Sequence, residues 1–195
     1  QKAILEFVTH YGLLGLMTAL PTTPSFMDYE AVYLPKNHFI KASHDFKADI
    51  ISAAKYMSAH YTSHSPHIEA LDVLSMKIFD ALKKNNGLTD RDKLLLEVAV
   101  ILHDCGKYIS MVNSAQCAYE IIMASEIIGL THAEREIVAL TVLYNSIQLD
   151  LYEDLSDRID YGSYIKVAKL SAILRVANAL DQSHMQKFKN VKTTL

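Results

Sequence analysis

The pentapeptide His103-Asp104-Cys105-Gly106-Lys107 carries side chains that could do chemistry. It follows a strongly apolar run at residues 94–102, which predicts a buried helix. A histidine and an aspartate at the end of a buried helix are costly to remove from water unless a partner satisfies them. A divalent metal ion would satisfy both, because imidazole nitrogens and carboxylate oxygens are metal ligands.

Helical spacing adds two more candidate ligands. Three predicted helices carry an apolar stripe that continues, in steps of three or four residues, to a polar side chain. The stripes are residues 71, 74, 78 and 82, then 96, 99 and 100, and last 167, 170, 174 and 177. The polar side chains at their ends are His67, His103 and Asp181. Together with Asp104 they form a predicted metal site for one ion.

This mixed nitrogen and oxygen set suits a divalent ion such as Mn, Ni, Co, Fe or Zn, and Mg is also a candidate. Each residue also has a plainer interpretation. His67, taken alone, is typical of a surface or capping residue in a first helical turn. Asp181, taken alone, is typical of a helix end or an ion pair.

The elements that would position these residues are helices. Start and stop signals such as Ser65-Pro66, Gly87, Thr89, Gly106, Gly129 and Thr131 divide the chain. They predict helices at about 48–61, 65–86, 90–102, 114–128, 131–144 and 163–180, with an acidic loop at 146–162. The fold class expected is therefore all-α, with about six or seven helices.

Composition excludes several classes of function. The formal net charge of −3 gives no basic footprint, so nucleic acid is not an expected partner. No apolar run approaches membrane-spanning length, so a membrane partner is not expected either. The two cysteines, Cys105 and Cys117, are too few for a disulfide framework and favour a cytoplasmic protein.

The ordered motifs of this chain resemble a known family. His67, His103-Asp104 and Asp181 match the H…HD…D pattern of the HD superfamily of metal-dependent phosphohydrolases, which are all-α helical bundles. The wider segments 103–110, 125–136 and 174–184 resemble the HD-like C-terminal domain of the exopolyphosphatase/guanosine pentaphosphate phosphatase (Ppx/GppA) family. The similarity runs from about residue 44 to 186. It leaves 1–43 as an N-terminal remnant or linker of unknown role and 187–195 as a C-terminal tail.

The resemblance implies a metal-dependent phosphohydrolase that acts on phosphate esters or anhydrides. Asp104 and Lys107 are then the candidate catalytic residues, with Lys107, and also Arg175 or Lys169, balancing phosphate charge. Lys107 has a plainer interpretation, because a cation just past a helix C-terminus is favoured there anyway. The expected partners are a phosphate-containing small molecule or polyphosphate and the rest of a larger phosphatase chain.

Two departures from the family favour a different function. Histidines that would hold a second metal are replaced at residues 114–117 and by Asn145. The glycine-rich phosphate loops of the family's actin-like catalytic domain are also absent from this sequence. The alternative is therefore a non-catalytic domain that binds polyphosphate and takes part in a homodimer. A third hypothesis is a helical scaffold with ancestral ligand residues.

Overall fold

A computed structural model describes residues 46–61 and 65–188, apart from the side chains of 65 and 83–86. These residues form seven α-helices and one 3-10 turn, and no strand occurs among them. The predicted all-α class is therefore confirmed. The predicted segment 1–43 and residues 189–195 of the predicted tail lie outside the described residues.

The helices follow one another along the chain with short connections. They are α1 (Phe46–His60), α2 (Ser65–Asn86), α3 (Asp90–Leu102), α4 (Ser114–Ala124), α5 (His132–Ser146), α6 (Tyr152–Leu155) and α7 (Tyr161–Leu180), and the 3-10 turn Cys105–Tyr108 lies between α3 and α4. No helix in the described part of the chain is both long enough and apolar enough to span a membrane.

Helix α3 is the centre of the bundle. It packs against α1, α2, α5 and α7. Its side chains at residues 94–96 and 98–102 are buried. A helix that contacts neighbours on all sides must be apolar on all sides, which explains the nearly continuous apolar run in the sequence. The residues that follow α3 are thereby carried to the end of the core.

Two helix starts have the predicted capping residues. Thr89 caps α3 and accepts from the backbone N–H of Asp92, while Asp92 accepts from the backbone N–H of Thr89 at 2.8 Å. Thr131 and Glu134 form the same reciprocal pair at the start of α5. These capping boxes fix where α3 and α5 begin, because they satisfy backbone donors that a helix start leaves unpaired.

Several helix limits differ from their predicted positions: α1 begins two residues earlier, α5 ends two residues later, and the differences at α4 and α7 have identifiable causes. Helix α4 ends at Ala124 rather than near 128, because Ser125 adopts an extended backbone and Arg135 donates to its carbonyl at 2.7 Å. Helix α7 begins at Tyr161 rather than Ser163, because Asp160 serves as its N-cap and accepts from the backbone N–H of Ser163. The short helix α6 also lies within the predicted acidic loop.

Candidate metal centre

Three helix ends meet at one place. His67 lies in the first turn of α2, His103 directly follows α3, and Asp181 directly follows α7. Helices α2, α3 and α7 pack against one another. All three side chains are buried, with residue exposures of 1%, 7% and 2%. Residues that are far apart along the chain therefore meet where the ends of α2, α3 and α7 come together.

The His67 imidazole is held by Asp181. Its Nδ1 lies 2.8 Å from Asp181 Oδ2, and a carboxylate can only accept, so Nδ1 carries the hydrogen. Burial would raise the pKa of Asp181. The hydrogen bonds from His67 and from the backbone N–H of Gln186 outweigh that effect and hold the pKa below its usual range. His67 is therefore oriented by an ionised carboxylate.

The His103 imidazole is held by its own helix. Its Nδ1 donates to the Val100 carbonyl at 2.7 Å. Burial lowers the pKa of His103, so the ring is neutral at pH 7 and Nε2 carries a lone pair. That Nε2 lies 3.2 Å from Asp104 Oδ1 without forming a hydrogen bond. A nitrogen lone pair thus faces a carboxylate oxygen.

The residues present fit a metal ion. His67 Nε2 and His103 Nε2 are buried and have no hydrogen-bond partner among the described residues. One ligand atom each from His67, His103 and Asp104 lies within 4.8 Å of the others. Buried polar atoms without partners are costly, and convergent electron pairs repel unless a cation lies between them. Each histidine also has its other nitrogen hydrogen-bonded, which is the usual arrangement of a metal-ligating histidine.

Lys107 lies against Asp104. Its ammonium is 2.8 Å from the carboxylate, and the Lys107 side chain is 40% exposed. Burial would raise the pKa of Asp104, but His103 and Lys107 together outweigh burial and lower it. Because His103 is neutral at pH 7, Lys107 supplies the full positive charge. The two candidate catalytic residues of the sequence are therefore in direct contact.

Asp181 lies behind His67 and is not one of the three clustered residues. Its Oδ2 accepts from His67 and its Oδ1 accepts from the backbone N–H of Gln186 at 2.8 Å. Oδ2 thus contacts the outer nitrogen of His67, and Oδ1 contacts the loop that follows α7. The assignment of Asp181 as a fourth ligand stays a prediction.

Sequence reasoning missed His184. Its ring stacks on the His67 ring with centroids 3.8 Å apart and planes 16° apart. Burial, His67 and Lys107 lower the pKa of His184. The residue follows the last turn of α7, so it belongs to no helical stripe that could reveal its direction. Its place in the segment 174–184, which carries part of the family resemblance, was its signal in the sequence.

The other two cations expected near phosphate are placed elsewhere. Arg175 donates to the carbonyls of Tyr144, Asn145 and Ile147, so it caps the C-terminal end of α5. Lys169 is half-buried on α7. It precedes Asp181 by about 18 Å along the axis, at 1.5 Å per residue. Only Lys107 of the three predicted cations contacts the cluster.

Cys117 and Asn145 lie at positions where the family resemblance implies histidines for a second metal. Cys117 is half-buried in α4, and Asn145 is buried near the end of α5. Neither belongs to the cluster of His67, His103 and Asp104. Among the described residues, the geometry brings together ligand atoms for one ion.

A comparison with known families covers the part of the chain that contains the cluster. The family model described as Ppx/GppA phosphatase, domain III, matches residues 51–195. The chain belongs to this family. No curated protein matches the chain. The matched range includes all four predicted ligands and Lys107.

Proposed function

We propose that this domain III binds one divalent metal ion through His67, His103 and Asp104 and hydrolyses phosphate esters or anhydrides. The observation that carries the proposal is the convergence of two partnerless buried imidazole nitrogens on the Asp104 carboxylate. Such an ion supplies Lewis-acid chemistry to phosphoryl groups and their attacking water. Its identity is one of Mn, Ni, Co, Fe, Zn or Mg.

The chain's own residues have distinct parts in this proposal. His67 and His103 present ring nitrogens from a buried position, which excludes bulk water from one side of the site. Asp181 orients His67. Lys107, more exposed than Asp104, supplies positive charge on the side from which a phosphate group would approach. The acidic groups of the same site would otherwise repel that phosphate.

A second candidate function rests on Lys107. Its ammonium already neutralises Asp104 as a bound cation would. A domain without metal would need such a contact, and this favours the alternative in which the domain is non-catalytic. In that alternative, the domain binds polyphosphate and takes part in a dimer within a larger phosphatase. The two candidates differ in whether phosphate chemistry requires metal.

Metal content and thermal stability test the proposal. Elemental analysis of the purified chain should find about one ion per chain. Added Mn²⁺ or Ni²⁺ should stabilise the fold by about 2.7 kcal/mol at a free concentration of 100 Kd. Asp104→Ala should abolish the increase in Tm that the added metal causes. His132→Ala, a change at an exposed histidine, should retain that increase.

Activity then separates the two functions. Metal-dependent turnover of a phosphate monoester, a nucleotide or polyphosphate, lost in Asp104→Ala, supports the hydrolase. Binding of long-chain polyphosphate that is unchanged by metal, without turnover of any of these compounds, supports the non-catalytic function. A chain that carries no ion and gains no stability from Mn²⁺ or Ni²⁺ contradicts the metal site itself.

A further inference from the structure

The loop that follows α7 places a third imidazole at the cluster of His67, His103 and Asp104. The ring of His184 stacks on His67, 3.8 Å between centroids. Its neighbours in the loop, Gln182, Ser183 and Met185, are exposed, whereas His184 is half-buried. The loop therefore turns one side chain toward the site and leaves the others in solvent.

The backbone of this loop is held in an uncommon conformation. His184 has φ of 53° and Gln186 has φ of 47°, both in the left-handed region, and neither is glycine. Residues other than glycine are destabilised in this region by steric contacts of the Cβ atom, so surrounding contacts must maintain the conformation. Such strain is typical of loops that hold a functional side chain in place.

Asp181 maintains the loop. Its carbonyl accepts from the His184 backbone N–H at 2.9 Å, and its Oδ1 accepts from the Gln186 backbone N–H at 2.8 Å. The Gln186 side chain donates to the His184 carbonyl at 2.6 Å. The carboxylate that orients His67 thus also fixes the loop that carries His184.

His184 is not placed to bind the same ion as His67. The lone pair of an imidazole nitrogen lies in the plane of its ring, and the two planes are nearly parallel, 16° apart. Nearly parallel rings that are stacked direct their lone pairs side by side rather than at one point. His184 is also absent from the group of ligand atoms that lie within 4.8 Å of one another.

We propose that His184 binds the phosphate group of the substrate, donating a ring N–H to a phosphoryl oxygen at the cluster of His67, His103 and Asp104. This inference rests on the proposed function, because it supplies the substrate contact for that site. His184 is half-buried beside His67, so part of its side chain faces solvent at the cluster of His67, His103 and Asp104. Lys107 supplies charge at Asp104, and His184 supplies a directed hydrogen bond beside His67.

Phosphate binding to the full chain tests the role of His184. The measurement is calorimetric titration with inorganic phosphate in the presence of saturating Mn²⁺, together with a separate Mn²⁺ titration. His184→Ala should weaken phosphate binding by about tenfold or more and change the Kd for Mn²⁺ by less than about twofold. His184→Gln, which keeps an N–H donor, should restore part of the affinity. Met185→Ala, the exposed neighbour, should match the wild type.

Each other outcome overturns the inference in a distinguishable way. Unchanged phosphate affinity in His184→Ala, with normal Mn²⁺ binding, contradicts the role of His184 and leaves the metal site intact. Loss of Mn²⁺ affinity in His184→Ala shows that the ring only supports His67. Failure of the wild type to bind Mn²⁺ contradicts the proposed function and this inference together.

Discussion

At the scale of single residues, Asp181 connects two parts of the site. One oxygen fixes the His67 ring through Nδ1, and the other fixes the loop through Gln186 N. The sequence predicted a ligand at this position, and that assignment stays a prediction; in the structure Oδ2 accepts from His67 and Oδ1 accepts from Gln186 N. A carboxylate behind a ligating histidine determines which ring nitrogen is protonated and where the ring points.

Asp181→Asn distinguishes an orienting residue from a ligand. An amide has one acceptor where the carboxylate has two, so it cannot serve both His67 and Gln186. We expect the affinity for Co²⁺ to fall about 10–100-fold, the usual effect of losing such a partner. The visible absorption spectrum of the Co²⁺ complex should keep its position and intensity, because the ligands themselves are unchanged.

The outcome that contradicts an orienting role is a shifted Co²⁺ spectrum with one ligand fewer, which would make Asp181 a ligand as the sequence predicted. Asp157→Asn, at an exposed carboxylate between α6 and α7, is the control. It should leave both the affinity and the spectrum unchanged.

At the scale of elements, the 3-10 turn after α3 needs a glycine. A Cβ added at Gly106 would lie 1.9 Å from the Ser114 carbonyl oxygen and 2.5 Å from the Ala118 nitrogen, both in the backbone of α4. The turn therefore packs directly on α4, and this contact positions Asp104 and Lys107 on either side of the glycine. The glycine in the pentapeptide acts through packing rather than chemistry.

Gly106→Ala should lower the free energy of unfolding by about 2–3 kcal/mol, because backbone atoms of α4 must shift to admit the methyl group. Urea denaturation provides the measurement. Gly87→Ala is the matched control, since φ there is +64° but no atom lies within 4 Å of the added Cβ. It should cost only about 1 kcal/mol, the price of the backbone conformation. Equal losses in the two variants would show that the turn does not pack tightly on α4.

At the scale of the whole molecule, ion pairs between carboxylates and basic side chains connect different helices. Arg91 of α3 pairs with Glu134 of α5 at 2.6 Å, and Lys166 of α7 pairs with Asp92 of α3 at 2.9 Å. The Arg91 side chain, together with the Thr131 cap, lowers the pKa of Glu134 from 4.5 to about 2. The fold should consequently lose stability in acid.

The direction of this pH dependence follows from the linkage between proton binding and folding. A carboxyl whose pKa is lower in the folded state stabilises the fold above its unfolded pKa, and that contribution is lost as the pH falls through the folded pKa. We expect the free energy of unfolding to fall between about pH 4.5 and 2. Glu134→Gln should be less stable at pH 7 by about 1 kcal/mol, as expected for a weakened helix cap, and its stability should fall less steeply in acid.

Urea denaturation at a series of pH values measures this slope. Glu153→Gln, at an exposed position in α6, should follow the wild type at every pH. If Glu134→Gln and the wild type lose stability in parallel between pH 4.5 and 2, the contact between Arg91 and Glu134 does not contribute to acid sensitivity.

Local sequence determined much of the helical structure of this protein. The apolar run at 94–102 predicted the central helix, since only a helix enclosed by neighbours tolerates apolar side chains on every face. Thr89 and Thr131 predicted helix starts because capping is a contact between residues three apart. His67, His103 and Asp181 could be grouped because each extended the buried stripe of its own helix.

Only the tertiary structure decided what these residues contact. Asp181 meets His67 across 114 residues of sequence, and its contact with His67 Nδ1 depends on how α2 and α7 pack. Lys107 lies on Asp104, Arg175 caps α5, and His184 stacks on His67 from a loop without periodicity. Spacing along a helix fixes the face on which a side chain lies. The packing of separate helices fixes the atom that it reaches.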